Sequence, residues 1–164
     1  MEQKSSAPDR VRAALAAAGV QVEIRQFDTS TRTAEDAALA IGTTVGQIVK
    51  SLVFVSGGRP VLALMSGSNQ LELASLAALT GQEVGKADAS LVRAATGYSI
   101  GGVPPLGFPQ PIETYIDRDL FKYEEIWAAA GTPNHVFRTT PAALIRLTSA
   151  TAAELKRQSL SAET

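Results

Sequence analysis

Lys50 is the residue whose surroundings in the sequence most clearly point to chemistry. It lies inside an almost uninterrupted apolar run, Ile48–Val55, of the kind that forms a buried strand. Burying an ammonium group without a partner costs several kcal/mol, so Lys50 must find a partner, reach water at a strand end, or face a functional cavity. A lysine whose head group reaches water past the sheet edge is the ordinary alternative.

A second unusual segment, 97–107, is rich in glycine and proline. Gly101 and Gly102 leave their backbone N–H groups unshielded, and Pro104 and Pro105 stiffen the chain after them. Such a loop can donate its amides to a carbonyl oxygen with little loss of entropy on binding. An ordinary crossover connection is the alternative. A cationic donor together with a donor-rich loop predicts a site for an ester carbonyl.

The same loop contains a G-x-S-x-G pattern, which is typical of hydrolase nucleophile elbows and would make Ser99 the nucleophile. That motif needs a strand before it and a helix directly after it, whereas the segment 102–105 is a poor helix start. The lone His135 would have to act as the base, although a histidine at this position is more often a satisfied residue at a strand end. A small-molecule esterase that uses Ser99 therefore stays an alternative.

The amino-acid composition excludes several classes of functional site. With 164 residues, 45% of them apolar, the chain can form one domain with a buried core. The absence of cysteine excludes disulfides, thiolate nucleophiles and zinc–thiolate sites. Without a G-x-G-x-x-G motif, a Walker loop or a His-rich spacing, the sequence predicts neither a nucleotide cofactor nor a metal. A net charge of −1 argues against strong non-specific nucleic-acid binding but is compatible with a local basic rim.

The sequence also predicts a location and a domain organisation. No stretch approaches the roughly 20 apolar residues of a membrane span, and the first residues lack the apolar region of a secretion signal. We therefore expect a cytoplasmic protein without membrane contact. We expect a single domain over residues 1–164, with its core at about 20–148 and a polar tail from about Leu155.

Local patterns predict the elements that position the candidate groups. The clearest is a hairpin, in which two β-rich runs at 47–55 and 60–65 flank Gly57-Gly58. The proline-rich segment 104–111 cannot form a regular element. The other predicted elements are helices at 8–18, 33–42, 71–79, 89–95, 120–130 and 141–147 and strands at 22–27, 83–87, 112–117 and 135–139. This interleaving predicts an α/β fold of the α+β type, with a mixed, curved sheet or partial barrel surrounded by helices.

Taken together, these segments resemble the YbaK-type trans-editing aminoacyl-tRNA deacylases, whose fold is also the insertion editing domain of prolyl-tRNA synthetase. The resemblance covers roughly residues 20–148. It rests on Ile48–Leu52, the Gly57-Gly58 hairpin, Gly101-x-x-x-Pro105, the passage from Ile116-Asp117 to Leu120, and the closing segment from Thr140-Pro141 to Leu144. The chain departs from the family after the second strand, where many relatives carry Gly-Asp and this chain has Gly67-Ser68-Asn69. That departure leaves the identity of the rejected amino acid open.

The resemblance implies a free-standing enzyme that hydrolyses the ester of a mischarged tRNA, classically proline tRNA carrying a small residue such as cysteine, alanine or serine. Lys50 matches the family's essential lysine, and Gly101 begins the loop that holds the ester carbonyl and the terminal adenosine. The further substrate-binding residues that it implies are Ser51, Tyr98, Ser99, Gly102, Val103, Pro104, Pro105 and, near an amino-acid-selecting segment, His135. Aminoacyl-tRNA is then the partner, prolyl-tRNA synthetase is a further candidate partner, and no cofactor is implied.

Such a reaction needs no protein nucleophile, because an aminoacyl ester is already activated and the neighbouring ribose hydroxyl can orient water. Lys50 would place the ribose or phosphate group, carry a bridging water, or act as a base whose pKa is lowered by desolvation. The sequence leaves these roles open. It also leaves open a protein of a different class, a non-catalytic module that sequesters aminoacyl-tRNA or docks to a synthetase.

Overall fold

Helices and strands interleave along the computed structural model, which describes residues 6–158. The helices are α1 (Ala7–Ala17), α2 (Ala34–Ile41), α3 (Leu73–Thr80), α4 (Ala89–Thr96) and α5 (Pro141–Thr148). The strands are β1 (Ile24–Gln26), β2 (Ile48–Ser56), β3 (Arg59–Ser66), β4 (Val84–Lys86), β5 (Glu113–Asp117), β6 (Ile126–Ala129), β7 (His135–Thr139) and β8 (Thr151–Ala153). Two 3-10 helices cover Val45–Gln47 and Arg118–Lys122.

The eight described strands form one mixed sheet in the order β1-β7-β6-β2-β3-β5-β8, with β4 also paired to β2. The pairs β1/β7, β2/β3, β2/β4 and β6/β7 are antiparallel. The pairs β2/β6, β3/β5 and β5/β8 are parallel. The predicted fold class, a mixed sheet with helices around it, is therefore confirmed. Within residues 6–158, none of the helices is both long enough and apolar enough to cross a membrane.

The β2–β3 hairpin is the centre of the sheet and agrees with the sequence prediction. Gly57 and Gly58 have φ angles of +58° and +80°, as a type I′ turn requires. Positive φ costs glycine nothing, so the two-residue turn forms without strain and fixes the register. Ser56 then pairs with Arg59, and Lys50 pairs with Met65.

The helices next to the hairpin begin and end at residues that the sequence marks. Thr33 caps α2 by accepting a hydrogen bond from the Asp36 amide at 3.0 Å, and Asp88 caps α4 through the Leu91 amide at 2.8 Å. Gly42 and Gly97 end these helices with φ of +87° and +85°. The two helices therefore have fixed ends beside β2.

The predicted helix at 120–130 is wrong. A short 3-10 helix, Arg118–Lys122, is followed instead by strand β6. Trp127 of β6 pairs with Ile48 on one side and with Arg138 on the other, so this segment bridges β2 and β7. Local propensity favoured a helix here, but burial between two strands stabilises the extended form.

The C-terminal segment also differs from its prediction. Strand β8 was not predicted, and it pairs in parallel with β5. Leu155, at which the polar tail was expected to begin, is fully buried in an apolar cluster with Met65 and Leu76. The ordered structure therefore continues past the predicted core.

Candidate functional site

A gap in the sheet beside β2 opens into a cavity. On the side away from β3, strand β2 pairs with β6 at Ile48 and Val49 and with β4 at 54–56. Residues 50–53 have no strand partner on that side within the part of the chain that the structure describes. A cavity of about 630 Å³ opens at this gap and is lined by residues 48–54.

The free edge of β2 brings backbone polar groups to the cavity. Ser56 and Arg59 flank the two-residue turn and form a hydrogen-bonded pair. Hydrogen-bonded and non-bonded pairs alternate along an antiparallel ladder, so the even-numbered residues of β2 direct their backbone N–H and C=O groups towards β3. Ser51 and Val53 consequently direct their N–H and C=O groups away from β3, into the gap. A ligand in the cavity could pair with these groups as an added strand would.

Lys50 lines the same cavity with a half-buried side chain. Its Nζ donates a hydrogen bond to the Asn69 carbonyl at 2.5 Å. Burial lowers the pKa of Lys50, whereas the charges of Glu35 and Asp117 act in the opposite direction. An ammonium has three hydrogens, so two remain for a ligand.

The glycine-rich loop reaches the cavity through Gly101 and Val103. The Gly102 amide donates to the Ser99 carbonyl at 3.0 Å and closes a turn in which Gly101 has a φ of +93°. The Gly101 amide has no acceptor among residues 6–158. The Gly101 amide is therefore available to a carbonyl, whereas the Gly102 amide, which the sequence also suggested, is used within the turn.

Arg32 packs directly across Gly101, and sequence reasoning did not identify it. A Cβ at position 101 would lie 2.6 Å from Arg32 Cγ, so glycine allows the arginine stem to cross the loop. The segment before Arg32 is fixed because Thr31 Oγ1 donates to the Pro133 carbonyl at 2.8 Å and Asn134 Nδ2 donates to the Phe27 carbonyl at 3.2 Å. No spacing in the sequence connects position 32 to position 101.

The cavity lining is more cationic than the chain as a whole. Lys50, Arg32 and Lys86 line it, with Glu35 as the acid of the lining. Both Arg32 and Lys86 are exposed, and neither forms an ion pair within the described residues. An excess of positive charge at one cavity suits an anionic ligand such as a phosphate group.

One wall of the cavity is apolar and belongs to the largest core cluster. It is formed by Val53, Val92, Val103 and Ala128. Ser51 projects to the same face of β2 as Val53, and its Oγ is buried without a hydrogen-bond partner among the described residues. Lys50 projects to the opposite face of β2. Side chains from both faces of β2 can line one cavity because the sheet is open between β4 and β6.

Several predicted site residues support the loop and do not line this cavity. Tyr98 is buried, and its hydroxyl donates to the Gly107 carbonyl at 3.1 Å. Pro104 is buried behind the loop. Pro105 lines a separate cavity beside α5 and β5.

The two residues of the esterase alternative lie apart. Ser99 Oγ accepts a hydrogen bond from the Arg93 guanidinium, and it does not line the cavity. His135 Nδ1 contacts Thr132 Oγ1 at 2.5 Å and also lies outside the lining. Neither residue has the partner that a serine–histidine pair needs.

Comparison with known proteins identifies the family to which this chain is similar. Residues 28–147 match the model of the aminoacyl-tRNA editing domain family. A solved structure named "Crystal structure of a putative trans-editing enzyme for prolyl tRNA synthetase" superposes with a TM-score of 0.90 and 45% identity, over 95% of this chain and all of that one.

Two bacterial sequences are similar over most of their length. The "Putative Cys-tRNA(Pro)/Cys-tRNA(Cys) deacylase EbsC" of Enterococcus faecalis is 32% identical over 74% of this chain and 76% of that protein. The "Uncharacterized protein YwhH" of Bacillus subtilis is 30% identical over 73% of this chain and 76% of that protein.

Proposed function

Because the chain belongs to the aminoacyl-tRNA editing domain family, we propose that it removes a small, wrongly attached amino acid from proline tRNA. Deacylation of mischarged tRNA is the activity of the family. The choice of proline tRNA is supported by the names of two similar proteins, one named as a deacylase of Cys-tRNA(Pro) and Cys-tRNA(Cys) and one as a trans-editing enzyme for prolyl-tRNA synthetase.

One observation carries this proposal: Lys50 and Gly101 line a single cavity at the free edge of β2. In the proposed reaction the Gly101 amide donates to the ester carbonyl and stabilises the negative charge that develops on its oxygen. The oxygen of a water molecule, oriented by the neighbouring ribose hydroxyl, attacks the carbonyl carbon. The bond between the carbonyl carbon and the ribose oxygen then breaks, and that oxygen takes up the proton that the attacking water loses, which gives a free amino acid and a deacylated tRNA.

Lys50 acts in this scheme as a cation that places the ribose or phosphate group. The charges of Glu35 and Asp117 favour the protonated form against the effect of burial. One ammonium hydrogen is directed at Asn69, so the others are oriented for the substrate. Correct placement is itself a large contribution, since an effective molarity can lower a barrier by about 7–11 kcal/mol.

The apolar wall beside Ser51 selects the amino acid by size and polarity. Valine side chains exclude a large residue, and one methylene is worth only about 1–3 kcal/mol in such a pocket, which suits a second sieve after a synthetase. The Ser51 hydroxyl supplies the polar group of this wall. A small side chain with a hydroxyl or thiol group can pair with it, whereas the methyl group of alanine cannot.

A panel of mischarged tRNAs tests the proposal against its alternatives. We expect turnover of proline tRNA that carries serine, cysteine or alanine, and no turnover of correctly charged prolyl-tRNA. Tight binding of these tRNAs without turnover would instead identify a non-catalytic binding module. Loss of activity in Ser99→Ala, together with inactivation by serine-directed acylating reagents, would identify an esterase.

A further inference from the structure

The C-terminal segment 155–157 is attached to the loop that comes after β3. The Glu72 amide donates to the Leu155 carbonyl at 2.8 Å, and the Arg157 amide donates to the Gln70 carbonyl at 2.7 Å. Leu155 is fully buried between these contacts. The segment therefore fixes the far side of the loop 69–72.

Asn69, at the start of this loop, is held by two carboxylates. Its Nδ2 donates to Asp117 Oδ2 and to Asp119 Oδ2, both at 2.8 Å. Asp117 is almost fully buried, and the same oxygen accepts from the Ser66 amide at 3.1 Å. Lys156 of the C-terminal segment forms an ion pair with Asp119 Oδ2 at 3.0 Å.

These contacts connect the C-terminal segment to Lys50 in the cavity lining. The backbone carbonyl of Asn69 is the acceptor of the Lys50 ammonium. The direction of that ammonium therefore depends on where the loop holds the carbonyl. An aspartate at position 69 would lack the two N–H donors and would place a third carboxylate beside Asp117 and Asp119.

We propose that Asn69 is a positioning residue for Lys50, and that Lys156 supports it from a segment outside the family match. The match ends at residue 147, so this support lies beyond the editing domain as the family model defines it. The expected change in deacylation rate rests on the proposed function. Its structural part, the orientation of the Lys50 ammonium, is independent of which tRNA is the substrate.

Asn69→Ala tests the first part. Without the amide the loop carbonyl is free to move, and a displacement of about 1 Å can cost about 100-fold in rate. We expect the kcat for deacylation to fall by about 10- to 100-fold with KM changed less than about threefold, because the substrate-binding groups remain. The pKa of Lys50, measured by NMR after ¹³C reductive methylation, should shift, because the ammonium loses the fixed acceptor that now sets its direction while Glu35 and Asp117 stay in place.

Two matched variants of the cations on Asp119 test the second part and remain usable if Asn69→Ala does not fold. Lys156 and Lys122 both pair with Asp119, but Lys122 is exposed and belongs to the same 3-10 helix as that aspartate. We expect Lys156→Ala to lower kcat by about 3- to 10-fold and to shift the pKa of Lys50 in the same direction as Asn69→Ala does, with both values restored in Lys156→Arg and unchanged in Lys122→Ala.

An unchanged kcat and an unchanged Lys50 pKa in Asn69→Ala would overturn the positioning role. Equal effects of Lys156→Ala and Lys122→Ala would overturn the support from the C-terminal segment. A wild-type protein that deacylates no tRNA of the panel would contradict the proposed function alone, because the NMR titration of Lys50 requires no turnover.

Discussion

At the scale of single residues, the cavity is defined by groups that keep free hydrogen-bonding capacity. Lys50 has donors left after its bond to the Asn69 carbonyl, the Gly101 amide has no acceptor within residues 6–158, and the Ser51 hydroxyl has no partner there either. Buried polar groups in folded proteins are nearly always paired. Of the three groups only the Ser51 hydroxyl is buried, and a ligand in the cavity could pair with it as well as with the partly exposed Lys50 and Gly101 donors.

The first prediction concerns the dependence of activity on pH. If Lys50 acts as a cation, kcat/KM should fall as pH rises through its pKa, which burial places below the ordinary value of 10.5. Lys50→Arg should remove this decline even if its rate is lower, since a guanidinium stays protonated. Deacylation rates over about pH 6 to 9.5, corrected for spontaneous ester hydrolysis, measure it. A rate that rises with pH through this group would instead make Lys50 a base.

The second prediction concerns selectivity at Ser51. Ser51→Ala should lower the rate on seryl-tRNA relative to alanyl-tRNA by about 10-fold, the value of one lost hydrogen bond of about 1.4 kcal/mol. Ser90→Ala, an exposed serine of α4, is the matched control and should change neither rate. An equal decrease on both substrates would mean that the hydroxyl does not contact the amino-acid side chain.

At the scale of elements, the parts of the fold with local signals were predictable. The Gly57-Gly58 turn and the helices predicted at 33–42 and 89–95 agree with the structure. Strand β6 was not predictable, because its helix-forming sequence is held extended only by pairing with Ile48 and Arg138, which are distant in the chain. Lys50 and Gly101 were indicated by local sequence and by the resemblance. Neither indicated the gap between the strands, because the gap depends on β6 and β4.

The third prediction concerns the position of the glycine loop. A Cβ at Gly102 would lie 2.7 Å from Thr132 Cα and 2.9 Å from the Gly131 carbonyl, which are backbone atoms that cannot move away easily. Gly102→Ala should therefore destabilise the protein by about 1–3 kcal/mol and reduce deacylation by displacing the loop.

Gly85→Ala is the control for that substitution. Gly85 lies in β4, and a Cβ there would meet no atom within 4 Å. Urea unfolding should show a change within about 0.5 kcal/mol for this variant. Equal stability of Gly102→Ala and wild type would show that the loop has more freedom than its contacts with Thr132 imply.

At the scale of the whole molecule, charge is distributed unevenly. The net charge is −1, yet Arg32, Lys50 and Lys86 meet at one cavity. Composition and patterning predicted the fold class and were compatible with a local basic rim, but they could not identify Arg32, which approaches Gly101 only in the folded chain. They also placed the start of the polar tail at Leu155, which is buried because it packs under the loop 69–72.

The fourth prediction depends on this charge distribution. Two phosphate contacts, from Arg32 and Lys86, should give log KM a slope of about +1.4 against log salt, at about 0.7 per phosphate of a single strand. Arg32→Ala and Lys86→Ala should each lower the slope by about 0.7. Arg146→Ala, an exposed arginine of α5 outside the cavity, should leave it unchanged. A slope near zero in wild type would place the tRNA phosphates away from this rim.

The most direct test is the single-turnover deacylation rate of proline tRNA carrying serine, cysteine or alanine, measured with wild type and with Lys50→Ala. We predict hydrolysis by wild type and a decrease of about 100-fold or more in the variant, with its fold preserved as judged by circular dichroism. Equal rates for the two proteins would contradict the central role of Lys50 at this cavity.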